Sequence, residues 1–189
     1  SIGIFGAMEP RTLDHVAYWV ADREPAVAFC ERHLGMHVID RQERFTLIGS
    51  DARRGKLTLF DAEGPRERGA LLHVGLRVSD LAAARSQLPD GTPDIFDVGG
   101  GIMLTLVEGA TEVEYDLDHV ALLTADPAAT ARAYERYGFN SAGFAPAGEH
   151  RVEVGGAFVE LHPGDPGPTE RPLLNHIAVL VDSADDVVA

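Results

Sequence analysis

The chain has 189 residues, is 45% hydrophobic and 24% charged, and carries a formal net charge of −14, a composition typical of a folded globular protein. Such an excess of carboxylates repels phosphate backbones and anionic lipid headgroups, which argues against nucleic acids and membrane surfaces as partners. With Cys30 as its single cysteine, the chain cannot form an intrachain disulfide. Because no long apolar run appears either, we expect a cytoplasmic protein.

An internal repeat organises the sequence after residues 1–7, which precede Met8, resemble a vector-derived leader and are left out of the predicted fold. Four segments begin alike, and we call the units that they open modules 1 to 4. The four openings are Leu13-Asp14-His15, Leu72-His73, Leu117-Asp118-His119 and Leu174-Asn175-His176. His15 lies 104 residues before His119, and His73 lies 103 residues before His176, so the second half of the chain repeats the first.

Each module shows the same order of predicted elements. An apolar run predicts a buried strand, and an apolar period of about 3.6 residues then predicts a helix. An aspartate between them is well placed as the helix N-cap: Asp22, Asp80, Asp126 and Asp182. Short alternating runs after the helix predict further strands, so the module is β-α-β-β-β, with module 2 short after its helix and expected to lack a strand.

Module 4 is unfinished in this sequence, with a predicted strand over 174–181 and the first turn of a helix over 183–189. Either a continuation of the chain or a neighbouring molecule is expected to supply the missing edge, which makes a homodimer a prediction. We predict an α+β fold with two halves. Residues 8–112 hold modules 1 and 2, and residues 113–189 hold module 3 and the truncated module 4.

The strand-opening histidines, the Asp-capped helices and the run Val159-Glu160-Leu161-His162 resemble the vicinal oxygen chelate superfamily. That superfamily contains glyoxalase I, extradiol ring-cleavage dioxygenases and bleomycin-binding resistance proteins. The resemblance covers residues 12–189. It implies that tandem βαβββ modules form cupped mixed sheets, with one divalent metal ion (Fe, Mn, Zn, Ni or Co) held inside a cup.

The resemblance also implies that His119, Glu160 and His176 are the metal ligands. The chemistry agrees with this, since two imidazoles and one carboxylate leave coordination positions free for a chelating substrate or for oxygen. Strand alternation places His162 on the same face as Glu160, which makes His162 the candidate acid–base residue. The alternative interpretation is that the histidines are ordinary packed residues and that Glu160 faces solvent.

The first half offers His15 and His73 but no carboxylate at the position that matches Glu160, so we expect it to be a structural half without a metal. Three functions stay open, all with a small-molecule substrate or ligand. Four modules in one chain, with a first half that lacks the matching carboxylate, favour a ring-cleavage dioxygenase-type oxidoreductase, which is the preferred hypothesis. Glu160 in module 3 favours a glyoxalase- or epimerase-type lyase or isomerase. The net charge of −14 would suit a metal-free protein that binds a cationic drug.

Overall fold

The computed structural model describes residues 10–144 and 148–182, and both residues 1–7 and the helix predicted over 183–189 lie outside them. Module 1 comprises β1 (Thr12–Val20), α1 (Glu24–His33), β2 (His37–Arg41), β3 (Phe45–Gly49) and β4 (Lys56–Asp61). Module 2 comprises β5 (Leu71–Val78), α2 (Leu81–Ser86), β6 (Ile95–Asp97) and β7 (Met103–Glu108). Module 3 comprises β8 (Asp116–Thr124), α3 (Pro127–Glu135), β9 (Asn140–Phe144), β10 (His150–Val154) and β11 (Ala157–Pro163), and module 4 contributes β12 (Leu174–Leu180). The βαβββ order is confirmed in modules 1 and 3, and module 2 lacks one strand as predicted.

Aspartates cap two of the three helices described here. The side chains of Asp80 and Asp126 each accept a hydrogen bond of 2.9 Å from a backbone amide in the first turn of α2 and α3. In module 1 the N-cap position is Arg23, and Asp22 instead accepts a 3.0 Å hydrogen bond from the amide of Glu24. The predicted starts of α1, α2 and α3 are therefore correct to within one residue.

The strands form two sheets that do not follow the order of the modules along the chain. One sheet has five strands in the order β12-β1-β4-β3-β2, and the other has seven in the order β6-β7-β5-β8-β11-β10-β9. The five-stranded sheet joins module 1 to the strand of module 4, and the seven-stranded sheet joins modules 2 and 3. The seven-stranded sheet therefore crosses the predicted boundary between the two halves, at residues 112 and 113. Modules 1 and 2 lie in different sheets, and so do modules 3 and 4, although the sequence places each pair in one predicted half.

The core lies against the opening strands and the helices. Its fully buried side chains include Leu13, Val16, Tyr18, Cys30, Leu34, Val74, Leu76, Leu117, Val120, Leu161 and Leu173. The two sheets approach each other where Gly155, between β10 and β11, meets the backbone before β1. A Cβ on Gly155 would lie 1.4 Å from the carbonyl oxygen of Arg11, and its φ is +54°, so this contact requires glycine. Across the described ranges, every helix is too short to cross a lipid bilayer.

Candidate functional site

The opening strands bring the four predicted histidines together as two pairs. His73 on β5 and His119 on β8 have their Nε2 atoms 3.0 Å apart. His15 on β1 and His176 on β12 have the same 3.0 Å separation. In both pairs the rings are T-shaped, with centroids 5.1 Å apart. The pairs follow from the antiparallel contacts of β5 with β8 and of β1 with β12.

His119 and His176 lie in different sheets, although the sequence predicts that they share one metal ion. His119 belongs to the seven-stranded sheet and His176 to the five-stranded sheet. The partner of His119 is His73, which lies in the half expected to hold no metal. The physical reason is the pairing of opening strands from modules 2 and 3, where the prediction assumed modules 3 and 4.

Glu160 lies beside the His73–His119 pair. Strand β11 runs parallel to β8 and places Glu160 opposite Ala121, two residues after His119. On the other side of β8, His73 is also opposite Ala121. On β5, β8 and β11, the two imidazoles and the carboxylate therefore lie level with Ala121 or within two residues of it along the strand. We call His73, His119, Glu160 and His162 the seven-stranded site.

Both carboxylate oxygens of Glu160 have partners. Arg151 donates from Nε and Nη2 to Oε1, at 3.1 and 2.9 Å, and Nε2 of His162 lies 3.0 Å from Oε2. Burial raises the pKa of Glu160, but the hydrogen bonds from Arg151 and His162 outweigh it and hold this pKa below its usual value. Nδ1 of His162 also faces Oε1 of Glu149 at 3.6 Å. His162 therefore lies between two carboxylates on the face that strand alternation predicts.

The ring of His119 is held from three directions. Phe158 stacks on it with centroids 5.0 Å apart, and Oδ2 of Asp118 lies 2.7 Å from its Nδ1. From β5, Gly75 faces the ring so closely that a Cβ would lie 2.3 Å from it. His119 is only 7% exposed. Any larger residue than glycine on β5 would have to push the imidazole out of this position.

The two imidazoles fit a first-row divalent metal ion. Two nitrogen ligands that bind one ion at about 2.1 Å each, at right angles to one another, lie about 3.0 Å apart. The Nε2 atoms of His73 and His119 have this separation. Burial, and secondarily the charge of His119, lower the pKa of His73 to about 4, so this ring is neutral at physiological pH, as a ligand must be. In the part of the chain that the structure describes, no group of three His, Cys, Asp or Glu side chains is arranged to hold an ion. Glu160 would have to turn from Arg151 to become the third ligand.

The His15–His176 pair has different neighbours, and we call it the five-stranded pair. At the register position of Glu160, β4 carries Thr58, opposite Ala17. Asp14 binds Nδ1 of His15 at 2.7 Å and also accepts an ion pair from Lys56 at 3.0 Å. This face thus lacks a last-strand carboxylate, in agreement with the sequence of module 1.

Comparisons with known proteins agree with this architecture. Residues 12–92 match the family model described as the Glyoxalase/Bleomycin resistance protein/Dioxygenase superfamily. Residues 12–92, less than half of the chain, therefore carry the sequence signature of the vicinal oxygen chelate superfamily. The predicted α+β fold is confirmed by the two mixed sheets and by the solved structures that share them. A search of curated proteins returns no match.

Several solved structures share the fold of this chain. A Bacillus subtilis protein provisionally described as a dioxygenase is 17% identical, with a TM-score of 0.78, and the alignment covers 96% of this chain and 74% of that one. Glyoxalase I from Zea mays is 16% identical, with a TM-score of 0.69 and coverage of 94% and 77%. An extradiol ring-cleaving dioxygenase from B. fuscum is 16% identical, with a TM-score of 0.50 and coverage of 100% and 62%. At these identities the likeness concerns the fold, and the named reactions belong to those proteins.

Four residues in or around the seven-stranded site are absent from the sequence-based prediction of ligands and acid–base group. They are His73, which belongs to the site, and its neighbours Gly75, Asp118 and Arg151. One sequence signal could have found Asp118: the Leu-Asp-His motif occurs in both modules 1 and 3. A carboxylate directly before a ligand histidine suggests a partner for its second nitrogen. Arg151 and Gly75 carry no such signal, because their contacts depend on strand register.

Proposed function

We propose that His73, His119 and Glu160 bind a first-row divalent metal ion and that the protein is an enzyme acting on a small molecule with adjacent oxygen atoms. The observation that carries this is the His73–His119 pair, with Nε2 atoms 3.0 Å apart and Glu160 in register on the next strand. When bound, the metal would supply Lewis acidity toward substrate oxygens or, as Fe(II), a centre for oxygen chemistry.

The protein side chains then have separate tasks. His73 and His119 present neutral nitrogens, and Glu160 adds the negative charge that a divalent ion prefers. If Glu160 turned toward the ion, the hydrogen of neutral His162 would lie on Nδ1, next to Glu149, and Nε2 would be able to accept a proton from a substrate hydroxyl. Glu149, facing Nδ1 of the same ring, stabilises the resulting imidazolium.

Two subclasses of reaction are compatible with these roles. Two histidines and one carboxylate with free positions are typical of non-haem Fe(II) oxygenases, which favours a ring-cleavage dioxygenase-type oxidoreductase. The likeness to the B. subtilis and B. fuscum proteins supports the same choice at the level of the fold. The likeness to glyoxalase I from Zea mays supports a lyase or isomerase that uses the metal without oxygen.

A second candidate is a metal-free binding protein, and the observation that favours it is the present position of Glu160. Its carboxylate is fully occupied by Arg151 and His162. In that state the face offers an imidazole pair, an aromatic ring and a neutralised acid to a small ligand. The net charge of −14 would attract cationic compounds in particular.

Metal loading tests the proposal directly. The full chain is stripped with chelator and then reloaded separately with Fe(II), Mn(II), Co(II), Ni(II) or Zn(II). We expect about one ion per chain by elemental analysis and a rise in melting temperature. His119→Ala should abolish both effects, whereas His37→Ala, at an exposed position on β2, should leave them unchanged.

Activity assays then separate the subclasses. The Fe(II)-loaded protein is offered catechol under air, with oxygen uptake and ring-cleavage absorbance recorded. The Ni(II)- or Zn(II)-loaded protein is offered a 2-oxoaldehyde–thiol adduct without oxygen. Failure to bind any of the metals, together with tight binding of a cationic drug, would overturn the enzyme proposal in favour of the binding protein.

A further inference from the structure

Asp118 forms a buried contact with the nitrogen of His119 that faces away from His73. Its Oδ2 lies 2.7 Å from Nδ1 of His119, and the two residues are 6% and 7% exposed. An ionised carboxylate has no proton to donate, so Nδ1 of His119 must carry the hydrogen. When the His119 ring is uncharged, its other nitrogen, Nε2, presents a lone pair toward His73.

Arg77 fixes the orientation of this carboxylate. Its Nε and Nη2 donate to Oδ1 of Asp118 at 2.7 and 2.6 Å, which leaves Oδ2 for His119. Nη2 also donates to the carbonyl oxygen of Gly156 after β10. The guanidinium therefore bridges Oδ1 of Asp118 and the backbone at Gly156, which leaves Oδ2 directed at His119.

The position of the ring hydrogen on His119 determines which nitrogen of His73 carries a hydrogen. Their Nε2 atoms are 3.0 Å apart, which requires one hydrogen between them. Because Nε2 of His119 is an acceptor, His73 must be the donor. The pair therefore consists of His119, whose tautomer is fixed by Asp118, and His73, whose tautomer is able to change.

We propose that Asp118 is a positioning residue that locks His119 as the Nδ1–H tautomer, so that its Nε2 lone pair always faces the site. His73 is the adjustable partner: its hydrogen lies on Nε2 in the metal-free chain, and binding a cation through Nε2 would require that hydrogen to move to Nδ1. This inference rests on the proposed metal site for its consequence, but the locked tautomer is a property of the metal-free chain. Outer carboxylates of this kind typically contribute a factor of about 10–100 to metal affinity.

Asp118→Asn makes a sharp prediction because Arg77 constrains the amide. The two arginine donors keep the amide oxygen in the place of Oδ1, so the amide nitrogen faces His119. That nitrogen donates to Nδ1 and forces the hydrogen onto Nε2, which inverts the tautomer. An asparagine in place of the aspartate of a catalytic triad gives the wrong histidine tautomer by the same logic.

The experiment records long-range ¹H–¹⁵N spectra of the histidine rings in the full, metal-free chain, with the His119 signal assigned from His119→Gln. We expect the Nδ1–H pattern in the unmodified protein and the Nε2–H pattern in Asp118→Asn. Co(II) titration should show that Asp118→Asn weakens binding about 10–100-fold. Asp14→Asn, the equivalent change beside His15, is the matched control and should alter neither the His119 pattern nor Co(II) binding at the seven-stranded site.

The outcomes separate this inference from the proposed function. An Nε2–H pattern for His119 in the unmodified protein overturns the inference, and this reading does not depend on how well any variant folds. Equal Co(II) affinity of the unmodified protein and Asp118→Asn also overturns it while leaving the metal site in place. If Asp118→Asn inverts the His119 tautomer but the unmodified protein binds no metal ion, the inference on Asp118 is supported and the proposed function is wrong.

Discussion

The two histidine pairs have nearly the same internal geometry but different surroundings. Both place Nε2 atoms 3.0 Å apart in T-shaped ring pairs, and both include one imidazole bound to the preceding aspartate. In the seven-stranded site the adjacent last strand carries Glu160, whereas the same register position in the five-stranded sheet is Thr58. The repeated fold thus produces imidazole pairs wherever two modules meet, and one residue on the neighbouring strand distinguishes them chemically.

The cation that neutralises each aspartate also comes from a different place. Asp118 is held by Arg77 of β5, the strand that carries His73. Asp14 is held by Lys56 of β4, which is directly opposite His15. The position of Lys56 is occupied in module 3 by Phe158, which stacks on His119. An aromatic ring there excludes water from one imidazole, and a lysine there does not.

The largest expected effect comes from making the seven-stranded site resemble the five-stranded pair. Glu160→Thr removes the only charged ligand proposed for the ion, so we expect Co(II) affinity to fall by at least about 100-fold, more than loss of an outer partner costs. Glu153→Thr, at an exposed position on β10, removes one surface carboxylate and should change the affinity little. Unchanged binding in Glu160→Thr would show that Glu160 is not a ligand.

Gly75 offers the next test, because its counterpart opposite His15 is Ala178. A methyl group at residue 75 would lie 2.3 Å from the His119 ring, so Gly75→Ala should cost about 1–3 kcal/mol in free energy of unfolding. Ala178→Gly makes the opposite change beside the other pair and should cost no more than about 1 kcal/mol. Urea unfolding followed by circular dichroism measures both, and equal costs would mean that the two rings are equally free to move.

The histidine pairs also predict how stability depends on pH. Folding lowers the pKa of His73 from 6.5 to about 4 through burial and repulsion by His119. The unfolded chain therefore binds a proton between these values that the folded chain does not, and the free energy of unfolding should decrease as pH falls from 6.5 toward 4.

Urea unfolding of chelator-treated protein at pH values across this window measures the slope. His73→Asn should flatten it. The pKa of His176 is also lowered, first by burial and then by His15, but this residue is exposed, so His176→Asn should flatten the slope less. A slope insensitive to His73→Asn would contradict the burial of a neutral ring.

The smallest expected effect concerns Arg151, which competes with a metal ion for Glu160. Arg151 is partly exposed and its guanidinium lies over Phe158 at 4.4 Å. Removal of an exposed ion pair changes free energies by up to about 1 kcal/mol, so Arg151→Met should tighten Co(II) binding up to about fivefold. Arg53→Met, which breaks a surface ion pair with Asp51, is the control. Weaker binding in Arg151→Met would instead mean that Arg151 supports Glu160 in its liganding position.

Much of the local structure could be predicted from the sequence. Helices capped at Asp80 and Asp126, the missing strand of module 2 and the shared face of Glu160 and His162 all follow from short-range patterns, because capping and strand alternation depend on neighbouring residues. The recurring histidine at the start of each module also identified all four members of the two pairs.

The repeat in the sequence predicts four modules, their histidines and a single carboxylate on the last strand of module 3. Which of the histidines meet depends on how the strands pair in the folded chain. His73 and His119 are 46 residues apart and His15 and His176 are 161 apart, while every opening strand has nearly the same apolar pattern. Any two such strands satisfy the same local preferences, so their pairing is selected by contacts between distant parts of the chain, which no short-range pattern encodes.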